Sequence, residues 1–181
     1  MLDTAAPKGV WRRFSLTRPD DTLLFAGIRG SSQSLRSHLE GCDEVYLLAA
    51  TLGIGVDRLL ERLSVTDVSL AVMVQACAAA LLESRCDDYQ REIAAEVSAE
   101  GLFLRPRFSP GYGDFPLDAQ PVLLNALDAG KHIGLTVTQA HMLVPTKSVT
   151  AVIGLSRHAG SCHTGGCAMC NKKDCDFRRE G

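Results

Sequence analysis

Four cysteines, Cys162, Cys167, Cys170 and Cys175, crowd together near the end of the 181-residue chain with the spacing C-x4-C-x2-C-x4-C. The Gly, Asn, Lys and Asp residues between them preclude burial in an apolar core, so the thiols read as metal ligands. In a reducing compartment, clustered cysteines signal metal or redox chemistry rather than disulfides. All four sulfurs come from one tight loop, which suits wrapping around a [4Fe–4S] cube. Zinc is the alternative, with His163 as a substitute ligand, although structural zinc sites favour paired knuckles separated by a longer loop. Redox-active thiols are the third reading.

A second constellation is Arg107-Phe108-Ser109-Pro110-Gly111-Tyr112-Gly113-Asp114. Arg107 offers a planar fork for a carboxylate. Gly111 and Gly113 let a ligand approach the backbone closely. Tyr112 adds a flat face and a hydroxyl. Together they suit a small ligand with an acid group and an aromatic base. The competing reading is a Pro/Gly turn that links a strand to a helix, with Arg107 on the surface. Two further segments are candidates. Thr51-Leu52-Gly53-Ile54-Gly55-Val56-Asp57 is a glycine turn between a strand and a helix, a place where an anion can sit. It lacks the third glycine of a dinucleotide fingerprint and the Lys of a P-loop, so a tight turn explains it better. In Pro145-Thr146-Lys147-Ser148-Val149, Lys147 and Ser148 could meet an anion or simply join two strands. No Ser/His/Asp order or carboxylate pair marks a hydrolase. His38, His132, His141 and His158 show no ligand spacing, and Cys42, Cys77 and Cys86 read as small core residues.

These residues must be held by a folded body. Hydrophobic residues make up 46% of the chain and charged residues 22%, with a formal net charge of -2. That balance excludes bulk electrostatic binding of nucleic acid, which needs a basic surface. The first fifteen residues lack the apolar core of a secretory signal. The longest apolar stretch, Val68 to Leu82, is shorter than the ~20 residues of a membrane span. The chain therefore reads as cytoplasmic, with no membrane partner. A composition shift near Ser156–Gly160 divides it into a body, residues 17–156, and a cysteine-rich tail, residues 157–181.

Within the body, patterning predicts a strand within residues 20–27 and a short helix at 32–40 stopped by Gly41. A buried strand at 44–50 follows, then a helix at 56–63. Asp67 caps a long helix to about Ala99, whose apolar face (Leu70, Val74, Cys77, Leu81) reads as core and whose polar end after Glu83 reads as emerging from it. A strand at 102–104, a loop at 107–116, a helix at 117–127 and strands at 133–137, 141–144 and 149–154 complete the pattern. Without a regular βαβ rhythm, the fold class is α+β, a twisted, largely antiparallel sheet flanked by helices.

The motif Arg107-x-x-Pro110-Gly111-Tyr112 is similar to the hallmark loop of the activation domain of vitamin B12-dependent methionine synthase. The chain resembles the short, freestanding relatives of that domain more closely. The shared segments are EVYLLAATLGIGVDRLLERLSVTD, RFSPGYGDFPLDAQ, IGLTVT and PTKSVTAVIGLSR, and then the ending from Cys167 to Arg178; together they span about residues 20 to 178. The resemblance implies S-adenosylmethionine binding. Arg107 would engage the carboxylate, Ser109 and Gly111 would contact the adenosyl part through the backbone, and Tyr112 would complete the site.

It further implies reductive remethylation of cob(II)alamin. The chain has no Asp-x-His-x-x-Gly motif, so cobalamin would arrive on a partner, a methionine synthase core or another corrinoid protein. The electron would come through the cysteine tail or from a donor such as flavodoxin or ferredoxin. The chain would then be part of a methyltransferase system in methionine biosynthesis rather than a complete enzyme. A docking module for a corrinoid protein, or an S-adenosylmethionine sensor with a structural zinc tail, is the alternative. Two features depart from the long enzymes. Val137-Thr138-Gln139-Ala140 stands where they carry Leu-Thr-Glu-Ser, so a carboxylate is missing at Gln139, and a downstream ligand-contacting Tyr has no counterpart near Ser161.

Overall fold

The computed structural model describes residues 4–158. Its centre is a four-stranded antiparallel sheet in the order β1 (Lys8–Ser15), β4 (Cys42–Thr51), β8 (Ser148–Ser156), β5 (Phe103–Leu104). The ribbon β2 (Leu23–Phe25) and β3 (Ile28–Gly30) and the ribbon β6 (Thr136–Val137) and β7 (Leu143–Val144) lie outside it. The helices are α1 (Gln33–His38), α2 (Ile54–Thr66), α3 (Val68–Ser98), α4 (Ala119–Ala126) and α5 (Ala129–Ile133). The architecture is α+β with a largely antiparallel sheet.

β4 is covered on both faces, which is why EVYLLAA is a continuous apolar run rather than an alternating one. Val45, Leu47 and Ala49 face a core shared with α1, α4, α5 and the β2–β3 ribbon, where Leu35, Phe115, Leu123 and Leu127 are buried. Tyr46 and Leu48 face the other way, onto Ile93 and Val97 of α3. Ala50 and Leu52 join Val56 of α2 and Ala78, Leu82 and Cys86 of α3. The molecule is thus three layers, with α2 and α3 on one side of the sheet and the remaining helices on the other.

Several details differ from the sequence reading. β1 precedes the expected start of the body at Thr17 and forms an edge of the main sheet, pairing Lys8–Ser15 with Thr51–Glu44. Ile133 ends α5 rather than opening a strand, because Gly134 adopts a left-handed conformation (φ 69°) that stops the helix. The largest difference is in α3. Its buried residues are Ala78, Leu82, Cys86, Ile93 and Val97, so the charged C-terminal half packs on the sheet. Much of its apolar N-terminal half, including Cys77, is exposed. By length and composition this helix could cross a membrane, but Ile93 and Val97 are already committed to the sheet.

Candidate functional site

Residues 103–108 run antiparallel along β8. Phe103 and Leu104 pair with Ser156 and Leu155. The Arg105 N–H donates to the Gly154 carbonyl (2.8 Å), and Phe108 and Val152 exchange both backbone bonds (2.9 and 2.8 Å). Pro106 has no N–H and breaks the ladder between them. Side chains alternate along such a segment. Phe108 packs into the core shared with α1 and α4, whereas Arg107 reaches α3 on the opposite side.

There the Arg107 guanidinium donates from both Nη atoms to one helix face. Nη1 donates to Asp87 Oδ1 (2.7 Å) and Gln90 Oε1 (3.0 Å), and Nη2 donates to Glu83 Oε2 (3.0 Å). Glu83, Asp87 and Gln90 follow an i, i+4, i+7 spacing, which aligns them. Burial opposes the Arg107 charge, but the hydrogen bond to Asp87 and the fields of Asp87 and Glu83 outweigh it and raise its pKa. The Arg107 side chain is 19% exposed, while those of Glu83 and Asp87 are 63% and 62% exposed. Ion pairs with such open partners contribute about 0–1 kcal/mol each. Nearby Cys86 is buried, which pushes its thiol up to about 11, so it is a neutral core residue and not a nucleophile.

The loop beyond Arg107 is held by its own backbone. The Tyr112 N–H donates to the Ser109 carbonyl (3.0 Å), the Gly111 N–H to Phe115 (2.7 Å) and the Phe115 N–H to Tyr112 (3.0 Å). Gly111 (φ +95°) and Gly113 (φ +55°) both need the left-handed region. A Cβ on Gly113 would also lie 2.4 Å from Ser34 Oγ. That close approach lets Asp114 clamp the start of α1, accepting from Ser32 Oγ (2.6 Å) and the N–H groups of Gln33 (2.7 Å) and Ser34 (2.9 Å). The Ser32 and Ser34 bonds hold the Asp114 carboxyl well below the usual range. On the other flank, His38 Nε2–H donates to the Pro106 carbonyl (2.9 Å), and its ring lies 4.9 Å from that of Phe108. Burial lowers the His38 pKa. Tyr112 lies edge-on to Phe108 at 5.8 Å and is 56% exposed.

Of the expected ligand-contacting residues, Ser109 is buried, Gly111 and Tyr112 are exposed, and Arg107 is turned toward α3. They share one loop whose frame is fixed by its backbone bonds, with Tyr112 exposed on it and Arg107 bonded to Asp87, Gln90 and Glu83. The other two candidate segments meet each other instead. Buried Asp57 accepts from the Thr146 N–H (2.8 Å) and hydroxyl (2.7 Å). Leu52 donates to the Lys147 carbonyl (2.9 Å), and Ser148 Oγ lies 2.8 Å from Thr51 Oγ1. These polar groups are spent on a structural junction between α2 and β8.

Glu83, Asp87 and Gln90 were not singled out from sequence, while Asp114 was read only as the end of the loop and His38 only as an isolated histidine. Only the helical spacing of the first three carried a signal, and it has meaning once Arg107 is placed beside it. Cys162, Cys167, Cys170 and Cys175 lie outside the described residues. Among the described residues, no group of three or more His, Cys, Asp or Glu side chains is arranged to hold a metal ion.

No family model matches the chain, and no curated protein matches it. Among solved structures, the chain is similar to the MetH reactivation domain bound to AdoHcy. The two share 18% sequence identity with a TM-score of 0.65, over 84% of this chain and 59% of that one. The chain therefore spans less than two thirds of that structure's length, and the likeness establishes a shared fold.

Proposed function

We propose that this chain binds S-adenosylmethionine at Arg107, Ser109, Gly111 and Tyr112 and serves as the reactivation subunit of a cobalamin-dependent methionine synthase. The observation that carries the reading is the Arg107 fork. It is mostly shielded, ringed by exposed acceptors, and set on a fixed loop in a fold shared with a domain solved with AdoHcy. Arg107 would take the methionyl carboxylate, while Glu83 and Asp87 remain beside it as partners for the ligand's positive charge. Ser109 and Gly111 would present backbone groups to the adenosyl part, and Tyr112 would cover it. The ligand supplies a methyl group on a sulfonium. With one electron from a reductant, that methyl would restore cob(II)alamin on a partner protein to its methylated form and leave S-adenosylhomocysteine.

The partner would be a cytoplasmic synthase core or other corrinoid protein, and flavodoxin or ferredoxin is a suitable electron donor. Residues 157–181 form a second unit in this reading. Cys162, Cys167, Cys170 and Cys175 would hold a [4Fe–4S] cluster that passes the electron, or a zinc ion that only folds the tail. Mixed with a synthase core in the cob(II)alamin state, S-adenosylmethionine and a reductant, the chain is expected to restore homocysteine methylation. Reactivation that proceeds equally well without it would refute the assignment. Iron and zinc analysis of anaerobically purified protein, with its visible spectrum, distinguishes the two tails.

A further inference from the structure

The segment from Pro106 to Asp114 is held at both ends by one short helix. At its far end, Asp114 accepts from Ser32 Oγ (2.6 Å) and from the N–H groups of Gln33 (2.7 Å) and Ser34 (2.9 Å), all at the start of α1. At its near end, the Pro106 carbonyl accepts from Nε2–H of His38 (2.9 Å), the last residue of α1. α1 has six residues, so the two grips stand about 9 Å apart along its axis. Extended, a segment of this length would reach about 30 Å. The helix therefore holds the loop folded back on itself. The grip is firm at its source, because Leu35 and Leu39 are fully buried and Ser32 Oγ also accepts from the Leu35 N–H (3.0 Å).

The loop's own bonds give it a shape but not a place. The N–H groups of Gly111, Tyr112 and Phe115 all donate to carbonyls within the loop. Phe108 and Phe115 seat its two roots in the core, while Gly111, Tyr112 and Gly113 between them are exposed. Asp114 links this exposed tip to a second element, and an ionised carboxylate accepting three hydrogen bonds is a stronger tether than a neutral acceptor. His38 acts from the other end through the rings. It lies 4.9 Å from Phe108, and Phe108 lies 5.8 Å from Tyr112, so α1 also backs the ring against which Tyr112 stands.

We infer that Asp114, assisted by His38, is a positioning residue: through α1 it holds the 109–113 tip in the form that receives the ligand. The inference rests on the ligand reading proposed above. A loop ordered beforehand binds more tightly, because less freedom is lost on binding. Two measurements on the full chain test this. Hydrogen–deuterium exchange without ligand should be about tenfold faster at the Gly111, Tyr112 and Phe115 amides in Asp114→Ala, and faster to a smaller extent in His38→Ala. Titration with S-adenosylmethionine should show Asp114→Ala binding about tenfold more weakly. Asp114→Asn keeps one carbonyl oxygen as acceptor for Ser32 and Ser34, so it should recover part of both losses. Asp57→Ala weakens the fold at the distant α2–β8 junction and should move neither readout, which separates positioning from general stability. Unchanged exchange in Asp114→Ala overturns the inference, as does faster exchange with unchanged affinity, or an equal loss of affinity in Asp57→Ala. A parent that binds no S-adenosylmethionine refutes the ligand reading instead, and the exchange rates then decide alone whether α1 holds the loop.

Discussion

The two halves of α3 are one continuous helix of about 46 Å, yet they do opposite things. Between Val68 and Leu82 there is no charge, and most side chains meet solvent. From Glu83 to Ser98 the helix is rich in Asp, Glu and Arg, yet Cys86, Ile93 and Val97 are fully buried. Glu96 there accepts from Trp11 Nε1 (3.3 Å) and Tyr46 Oη (3.1 Å). Burial follows where the sheet ends, not mean hydropathy. Along one stripe, Leu82 and Cys86 pack with Ala50 and Leu52, and Ile93 and Val97 with Tyr46, Leu48, Ile153 and Leu155. The polar residues of the same half then stand on its flank and hold Arg107. The apolar half meets the sheet only near Ala78 and Leu82, where Ala50 and Leu52 lie, and the residues before Ala78 are mostly exposed.

Substitutions can break this contrast. The largest effect is expected at Ile93: Ile93→Ala should lower unfolding free energy by about 2–5 kcal/mol. Val72→Ala, in the half that composition marks as core, should cost less than about 0.5 kcal/mol. Chemical denaturation of both variants checks the pair, and equal losses would contradict the assignment of the two halves. Next is Asp57→Ala, which removes the acceptor for Thr146 at the base of the hairpin. Its expected cost is about 0.5–1.5 kcal/mol, the net worth of a hydrogen bond, because Thr146 is exposed and can turn to water.

Glu83→Gln and Asp87→Asn should each cost at most about 1 kcal/mol of stability, since both carboxylates are open to solvent. Their sharper readout is the ligand: weaker binding of the cationic S-adenosylmethionine, with little change for S-adenosylhomocysteine. The smallest effect is a pH response. The folded pKa of His38 is lowered from its ordinary value of about 6.5. Its contribution is thus present above that pH and lost as pH falls through the folded value. Asp114, also depressed, contributes above about pH 4 and lets go only as pH falls through its lower folded value. Thermal melts from neutral to acid pH should show His38 loosening the loop first, and His38→Gln should remove that first step.

The sheet's central strand and most helices were legible in the sequence. EVYLLAA is a buried strand by length and β-branching, and Asp67 does cap α3 by accepting from the Leu70 N–H (2.9 Å). The Arg107–Asp114 loop was legible from its Pro and Gly residues. The inversion of α3 was not, because periodicity shows that a helix has an apolar face but not whether another element lies opposite it. The Arg107 partners were hidden for a related reason. A link between residues 83–90 and 107 exists only after the segment 103–108 has paired with β8 and its alternation has turned Arg107 toward α3. The sequence likewise could not show that Thr51–Asp57 and Pro145–Ser148 use up each other's polar groups, since they lie about ninety residues apart.

The account rests on Arg107 being a ligand-binding fork and not merely a strut between α3 and the sheet. Isothermal titration of S-adenosylmethionine into the parent chain and into Arg107→Ala tests this most directly. The parent is expected to bind one equivalent. The variant should lose roughly 1.5–3 kcal/mol of affinity, about ten- to hundredfold, as for hydrogen bonds to a charged group, with an unchanged fold by circular dichroism. Equal affinities, or a parent that binds no S-adenosylmethionine, would contradict it.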